Sequence, residues 1–311
     1  MGHSEREYEW LDYYKHFDYL TPENTRDGSH PRLREHPGAG RKAVILIHGL
    51  TDSPHFMSAI ADVFFETLGY NVYLPLLKGH GEITPKGMTY VKLEDWKANI
   101  DFALEYAKRK TDHISIGGLS AGGALSFYTA ATDDRVTGSL YLFSAALDIA
   151  GGVRGVLGEV AERLLRTPIA RVLDRMEKNK PLINNNPFRY ARMDKGGAIQ
   201  LSRLIKQTDK IMYNYKSKKE PFPKRVFAAH SPGDTAAHID GAKAVQDIAD
   251  PARFQMFTVP ATVRHASVVL KEPIYAKDSS SDDNPLETEN PYFDDMMDAM
   301  CQFAKEEELV S

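Results

Sequence analysis

The sequence is poor in cysteine. Cys301 is the only one among 311 residues, so an intrachain disulfide is impossible and nothing in the sequence resembles a thiolate metal site. It lies in an amphipathic C-terminal segment, which predicts a small core residue. The acidic segment 277–290 lacks the ligand spacing of a calcium loop and is predicted to be a solvated surface loop. We therefore expect neither a metal nor a cofactor.

Excess positive charge and long apolar runs are also missing. Lysine and arginine number 39 against 43 acidic residues, for a net charge of -4, which provides no positive field for nucleic acid. No segment reaches the roughly 18 apolar residues of a membrane span, and the N-terminus has no apolar stretch typical of a secretory signal. These absences predict a cytoplasmic protein without nucleic-acid partners or membrane insertion. The sequence has no visible repeat of 20–50 residues, so a solenoid or propeller is not expected.

What is present is an alternation of strand and helix patterns beginning at residue 43. The apolar run 43–47 has the length of a strand buried on both faces. Ser53 and Pro54 then predict a helix start, with apolar residues at helical spacing up to Gly69. Further strands are predicted at 70–76, 113–117, 139–143, 226–229 and 254–259, with helices around 96–107, from 121, at 237–248 and at 293–304. This order predicts an α/β fold with a mostly parallel sheet flanked by helices.

The alternation is interrupted between residues 148 and 224. Only helical stripes occur there, at 153–164, 169–176 and 201–205, separated by proline and asparagine. We therefore predict a core of residues 1–147 plus 225–311 and an inserted helical cap at 148–224. Within the N-terminal extension 1–42, the only strand candidate is 32–34, and the aromatic stretch 8–19 is expected to pack on the core or the cap.

The sharpest motif is the sequence Gly118-Leu119-Ser120-Ala121-Gly122, between a predicted strand and a predicted helix. A serine hydroxyl needs a tight strand-to-helix turn to become an accessible nucleophile, and the flanking glycines permit that turn. The free N–H groups of the helix start would face an oxyanion beside Ser120. Ser120 is thus the predicted nucleophile.

A nucleophilic serine needs a base and an orienting carboxylate. In this architecture the acid and then the histidine follow the serine, at the ends of later strands. Asp234, in a Pro-Gly turn after the strand 226–229, is the leading acid. Asp148 follows the preceding strand and is the alternative, although it could instead cap a helix.

His265 is the predicted base. It follows the last strand by a short loop, so it can return over the same sheet edge. The other candidates precede the serine (His48, His80, His113) or lie just before or after the acid (His230, His238). This order leaves His265 in the position that a triad requires.

Together these residues resemble the α/β-hydrolase superfamily, in particular the bacterial carboxylesterases and monoacylglycerol lipases. The likeness runs from about residue 43 to the end and rests on five motifs: Leu46-Ile47-His48-Gly49-Leu50-Thr51, Lys78-Gly79-His80-Gly81, Gly118 to Gly122, Gly233-Asp234 and His265. It implies an α/β-hydrolase fold, and an oxyanion hole made by the backbone N–H groups of Leu50 and Ala121. His48 and His80 are predicted to be structural, bonding backbone groups in glycine turns.

The predicted activity is hydrolysis of short- to medium-chain esters or monoacylglycerols through a Ser120-His265-Asp234 triad and an acyl-enzyme. A thioesterase, a peptidase or a carbon–carbon bond hydrolase would use the same triad. A non-catalytic receptor of this fold, and a lipase working at membrane surfaces, are further alternatives. The expected partner is a small-molecule ester.

Overall fold

The described residues of the protein form one sheet of seven strands. The computed structural model describes residues 8–38, 41–85, 87–148, 182–279 and 284–306. The strands are β1 (Arg32–Arg34), β2 (Ala43–Ile47), β3 (Asn71–Leu74), β4 (Ile114–Leu119), β5 (Leu140–Phe143), β6 (Val226–His230) and β7 (Phe254–Thr258). Their order is β1-β3-β2-β4-β5-β6-β7, with β1 antiparallel and the other pairs parallel. The predicted α/β class and parallel sheet are confirmed.

The strand order reverses direction at β2. From this strand the chain first crosses to β3 on one side and then returns to β4 on the other. In such sheets ligands bind where the carboxyl ends of the strands diverge. Ile47 at the end of β2 pairs with Gly118 of β4. The loop after β2 and the Ser120 turn therefore lie side by side at the switch point.

Helices cover both faces of the sheet. They are α1 (Leu11–His16), α2 (Ser58–Asp62), α3 (Leu93–Lys108), α4 (Ala121–Thr132), α5 (Lys195–Lys218), α6 (Ile239–Gln246) and α7 (Phe293–Glu306). A 3₁₀ turn, Pro54–Met57, precedes α2, and a π turn, Val63–Thr67, follows it. Ser53 occupies the N-cap position of this composite helix and Pro54 is its first residue, as predicted, although the Ser53 side chain makes no capping hydrogen bond.

Alternate residues of the strands supply two separate cores. Along β2, Ala43, Ile45 and Ile47 join the core beneath α3, α4 and α5, whereas Val44 and Leu46 join the core beneath α2 and α7. All five side chains are fully buried, because helices cover a parallel sheet on both faces. The continuous apolar run predicted this double burial.

The aromatic stretch of the N-terminal extension packs on the core, which is one of the two positions expected for it, on the core or on the cap. Trp10 and Tyr13 are buried and their rings contact Phe102 of α3 at centroid distances of 5.4 and 5.6 Å. The Tyr13 hydroxyl donates a hydrogen bond of 2.8 Å to the carbonyl oxygen of Leu76. β1 adds the strand predicted at 32–34. The extension therefore covers the β3 edge and the outer side of α3.

The predicted cap is only partly described. Its stripes at 153–164 and 169–176 lie outside the described residues. The third stripe belongs to α5, which packs on α3 and α4 through buried residues such as Leu204 and Thr208. Where the cap begins and ends stays a prediction. Among the described residues, no helix combines the length and the apolar character that crossing a bilayer would need.

Candidate active site

Ser120 occupies a strained turn between β4 and α4. Its backbone has φ 54° and ψ -118°, a combination that costs a non-glycine residue conformational energy and that concentrates at functional sites. The turn is fixed from both sides, since the Ser120 N–H donates to Phe143 and its carbonyl oxygen accepts from Ala146. The side chain remains partly exposed. This is the geometry that presents a nucleophile at the sheet edge.

The glycines of the motif are required by close backbone approach. A Cβ on Gly122 would lie 2.1 Å from the carbonyl oxygen of Ile47, and a Cβ on Gly118 would lie 2.5 Å from the same atom. Neither distance is sterically possible, and the obstacle is backbone that cannot rotate away. The first turn of α4 therefore sits directly against the end of β2, which explains why the motif carries glycine at both positions.

Asp234 and His265 meet at the same edge of the sheet. The Asp234 Oδ2 and His265 Nδ1 atoms are 2.6 Å apart. Asp234 is buried whereas His265 is partly exposed. Of the two acids that the sequence offered, Asp234 is therefore the one that bonds His265. The backbone carbonyl oxygen of Asp148, the alternative acid, accepts a hydrogen bond from the His238 N–H.

The surroundings of Asp234 keep it ionised. Burial acts to raise its pKa, but the hydrogen bond and charge of His265 and the N–H groups of Ala236 and Ala237 outweigh burial and lower the pKa overall. An ionised carboxylate only accepts hydrogen bonds, so His265 must donate from Nδ1. Its Nε2 then carries a lone pair when the ring is neutral, which is the tautomer that a general base needs.

His230, at the end of β6, adds a second imidazole beside this carboxylate. Its Nε2 lies 3.6 Å from the Asp234 Oδ2 and 3.0 Å from the carbonyl oxygen of Ala237. Burial lowers the pKa of His230, so this ring is neutral at pH 7. It therefore leaves Asp234 as the negative partner of His265.

The two N–H groups predicted to form an oxyanion hole, those of Leu50 and Ala121, lie on adjacent segments. Ala121 is the first residue of α4, where backbone N–H groups have no partner within the helix. Leu50 follows β2 in the β2 loop, defined here as residues 48–52. A Cβ on Gly49 would lie 3.2 Å from the Ser120 Cβ, so this loop borders the serine. The Leu50 side chain in turn packs near Gly197 of α5.

His48 and His80 have the backbone-bonding role predicted for them. The His48 Nε2 accepts a hydrogen bond of 3.1 Å from the Leu77 N–H, and its Nδ1 lies 2.9 Å from the Gly49 carbonyl oxygen. The His80 Nδ1 lies 3.1 Å from the Leu77 carbonyl oxygen. Burial lowers the pKa of both rings. His48 thereby joins the β2 loop to the segment after β3, and His80 bonds the backbone of its own turn in that segment.

One group of charged residues at the site was missed from the sequence. Asp52 of the β2 loop is paired with Arg189, which also pairs with Glu287. The prediction of a solvated loop at 277–290 is wrong at its C-terminal end, where Glu287 binds Arg189 and Asn290 is buried. No local pattern marks these residues, because their partners are more than 90 positions apart.

Solved structures of low sequence identity share the fold. A structure reported for the metagenome-derived lipolytic enzymes LipS and LipT has a TM-score of 0.63 at 16% identity, with 91% of this chain and 99% of that chain covered. Est1E from Butyrivibrio proteoclasticus has a TM-score of 0.56 at 18% identity, covering 90% and 96%. The monoacylglycerol lipase of Paleococcus ferrophilus has a TM-score of 0.55 at 15% identity, covering 88% and 98%. The fold is that of the α/β-hydrolases.

The family is defined by sequence. Residues 38–251 match the family described as serine aminopeptidase, S33, and the chain belongs to this family. It is 30% identical over 181 residues to a thermostable monoacylglycerol lipase of Bacillus sp. strain H-257, an alignment that covers 58% of this chain and 67% of that protein. The relatives support an esterase- and lipase-like hydrolase.

Proposed function

We propose that the protein hydrolyses carboxylic esters through an acyl-enzyme on Ser120, with His265 as general base and Asp234 as the orienting carboxylate. The observation that carries this proposal is the 2.6 Å hydrogen bond between Asp234 and His265, at the sheet edge where Ser120 occupies its strained turn. The monoacylglycerol lipase relative supports an ester as substrate. A direct hydrogen bond from Ser120 to His265 is part of the proposal.

The mechanism follows from the protonation states. His265 accepts the Ser120 proton at Nε2 while Ser120 attacks the ester carbonyl carbon, and Asp234 stabilises the imidazolium. The Leu50 and Ala121 N–H groups donate to the oxyanion, and each such donor contributes about 10²–10³ in rate. The alcohol leaves with the proton from His265. Water then repeats the attack, releasing the acid and regenerating Ser120.

We expect the substrate to be a short- to medium-chain ester or a monoacylglycerol. The relative from Bacillus is named a monoacylglycerol lipase, and the buried side chains of Leu50 and Met88 pack together against Gly197 at the start of α5. Apolar side chains beside a polar reaction centre suit an acyl chain. We expect the inserted cap, residues 148–224 in our division of the chain, to contribute to the substrate pocket.

A peptidase is the second candidate, favoured by the description of the family as serine aminopeptidase. The same triad would attack an amide, whose leaving amine must also be protonated by His265. The two candidates separate on matched substrates: hydrolysis of p-nitrophenyl esters without hydrolysis of aminoacyl p-nitroanilides supports the esterase. The reverse preference would establish the peptidase.

The assignment of the nucleophile is tested by Ser120→Ala. Because the acyl-enzyme forms on this oxygen, the variant should lose the burst of p-nitrophenol and at least about 10³-fold in kcat. Ser126→Ala is a matched control, since this serine lies in α4 six residues further on and donates a hydrogen bond to the Gly122 carbonyl oxygen. An undiminished burst in Ser120→Ala would contradict the proposal.

A further inference from the structure

The β2 loop, like the Ser120 turn beside it, contains a strained residue, which is Thr51. Its φ is 76°, and a β-branched residue in the left-handed region is a conformational outlier that the surrounding structure must hold in place. Thr51 directly follows Leu50, whose N–H is assigned to the oxyanion hole. The turn that Thr51 completes is closed by the Asp52 N–H, which donates a hydrogen bond of 3.2 Å to the Gly49 carbonyl oxygen. Because this carbonyl and the Leu50 N–H belong to the same planar peptide unit, the turn sets the direction of that N–H group.

Arg189 contacts this loop at two side chains. Its Nε lies 3.2 Å from the Asp52 Oδ1, and its Nη2 donates a hydrogen bond of 3.3 Å to the Thr51 Oγ1. The next residue, Tyr190, donates its N–H to the Thr51 carbonyl oxygen at 2.8 Å. Residues 189 and 190 thus hold both the side chain and the backbone of Thr51.

The same guanidinium group also binds the segment that packs beside His265. Its Nη1 pairs with Glu287, and the hydroxyl of the next residue, Thr288, lies 3.2 Å from that of Ser267, two residues after His265. A planar guanidinium can serve several oxygen acceptors at fixed angles, which a lysine cannot do. Arg189 therefore joins the oxyanion side of the site to the histidine side.

The ion pair between Arg189 and Asp52 is mostly buried, and further hydrogen bonds fix the segment that carries Arg189. The Asp52 side chain is 3% exposed and that of Arg189 is 24% exposed, so solvent screens this pair little. Burial raises the pKa of Asp52, an effect that the Arg189 charge opposes. Arg26 of the N-terminal extension donates to the carbonyl oxygens of Asn186 and Arg189. The segment carrying the guanidinium is thereby anchored independently of the site.

We propose that Arg189 is a positioning residue, which holds Thr51 and Asp52 so that the Leu50 N–H points at the oxyanion of the reaction on Ser120. This inference rests on the proposed esterase function. Since the oxyanion develops in the transition state, a displaced donor lowers kcat and leaves KM nearly unchanged. Arg189 contacts the loop and not the substrate.

The test is Arg189→Met, with Arg253→Met as the matched control at an exposed arginine. Turnover of a p-nitrophenyl ester is divided by the number of active sites, counted from the burst amplitude. We expect Arg189→Met to lose about 10²-fold in kcat per active site with KM changed less than about threefold. Arg253→Met should match the wild type.

Two further variants complete the experiment. Arg189→Lys keeps the positive charge and disturbs folding less than Arg189→Met does. It should still lose about tenfold in kcat per active site, because one ammonium group cannot bond Thr51, Asp52 and Glu287 together. Arg189→Met combined with Asp52→Asn removes the unpaired carboxylate. It should remain at least about tenfold below wild type, because Thr51 still lacks its donor.

Three outcomes would overturn the inference. A lower burst amplitude with normal kcat per site would show a purely structural role. A rise in KM alone would show a substrate contact, and full recovery in the double variant would show that only the bare Asp52 charge matters. These results would leave the esterase proposal intact, whereas a wild-type protein with no burst on any ester would contradict both.

Discussion

Substitution of Asp234 by Asn changes one atom in the proposed triad and inverts its hydrogen bonding. The Oδ1 atom accepts two backbone N–H groups, from Ala236 at 2.8 Å and Ala237 at 3.0 Å. In Asp234→Asn the amide oxygen must stay with these two donors, so the amide nitrogen faces His265. That nitrogen can only donate, and the His265 Nδ1 must then accept. The ring proton moves to Nε2, where the base should have a lone pair.

The size of the effect follows from this wrong tautomer. In a Ser-His-Asp triad it costs about 10⁴-fold in kcat, or about 5 kcal/mol of transition-state stabilisation. Stability should change little, because the two backbone hydrogen bonds survive. The loss should therefore appear in kcat without a matching loss of folded protein in urea unfolding.

The assay is ester hydrolysis by Asp234→Asn beside Asp148→Asn, which removes the alternative acid. We expect the second variant to stay within about threefold of wild type. The reasoning is refuted if Asp234→Asn retains more than about a tenth of the wild-type kcat, or if Asp148→Asn loses as much as Asp234→Asn.

Two further predictions concern stability. Burial lowers the pKa of His80 to about 4, so between pH 6.5 and 4 only the unfolded chain binds this proton. The folded state therefore loses up to about 3 kcal/mol of stability as the pH falls through that window. His80→Asn should make stability in urea depend less steeply on pH, and an unchanged slope would contradict the lowered pKa. Trp10→Ala should lower the free energy of unfolding by about 3–5 kcal/mol, because the indole is buried against α3. Leu11→Ala, at a side chain that is 58% exposed, should lower it by less than about 0.5 kcal/mol. Similar losses in both variants would show that the extension does not pack on the core in solution.

The parallel core could be predicted because its signals are local. The apolar run 43–47 coincides with β2, and the glycine motif places Ser120 between β4 and α4 as expected. Both follow from short-range rules: burial on two faces requires a continuous apolar strand, and the approach of backbone to Gly122 excludes a side chain. The order of residues along the chain pointed to His265 but left both Asp234 and Asp148 as possible acids, and Asp234 is the one that bonds His265.

The charged group around Arg189 could not be predicted in the same way. Asp52, Arg189 and Glu287 lie on three separate segments, and each residue alone reads as an ordinary surface charge. Only the tertiary fold brings them together, so the acidic character of 277–290 suggested solvent exposure instead. The same limit applies to α5, whose apolar stripe does not reveal that it packs on α3 and α4.

The most direct test of the proposed reaction is covalent labelling with a fluorophosphonate, followed by mass spectrometry of the labelled peptide. Because this reagent reacts with an activated serine and mimics the tetrahedral intermediate, the wild type should carry one label, on Ser120, and His265→Ala should label far more slowly. Label on another residue, or ester turnover that persists with Ser120 unmodified, would contradict the account. Tight binding of a small molecule without labelling or turnover would instead indicate a receptor of the same fold.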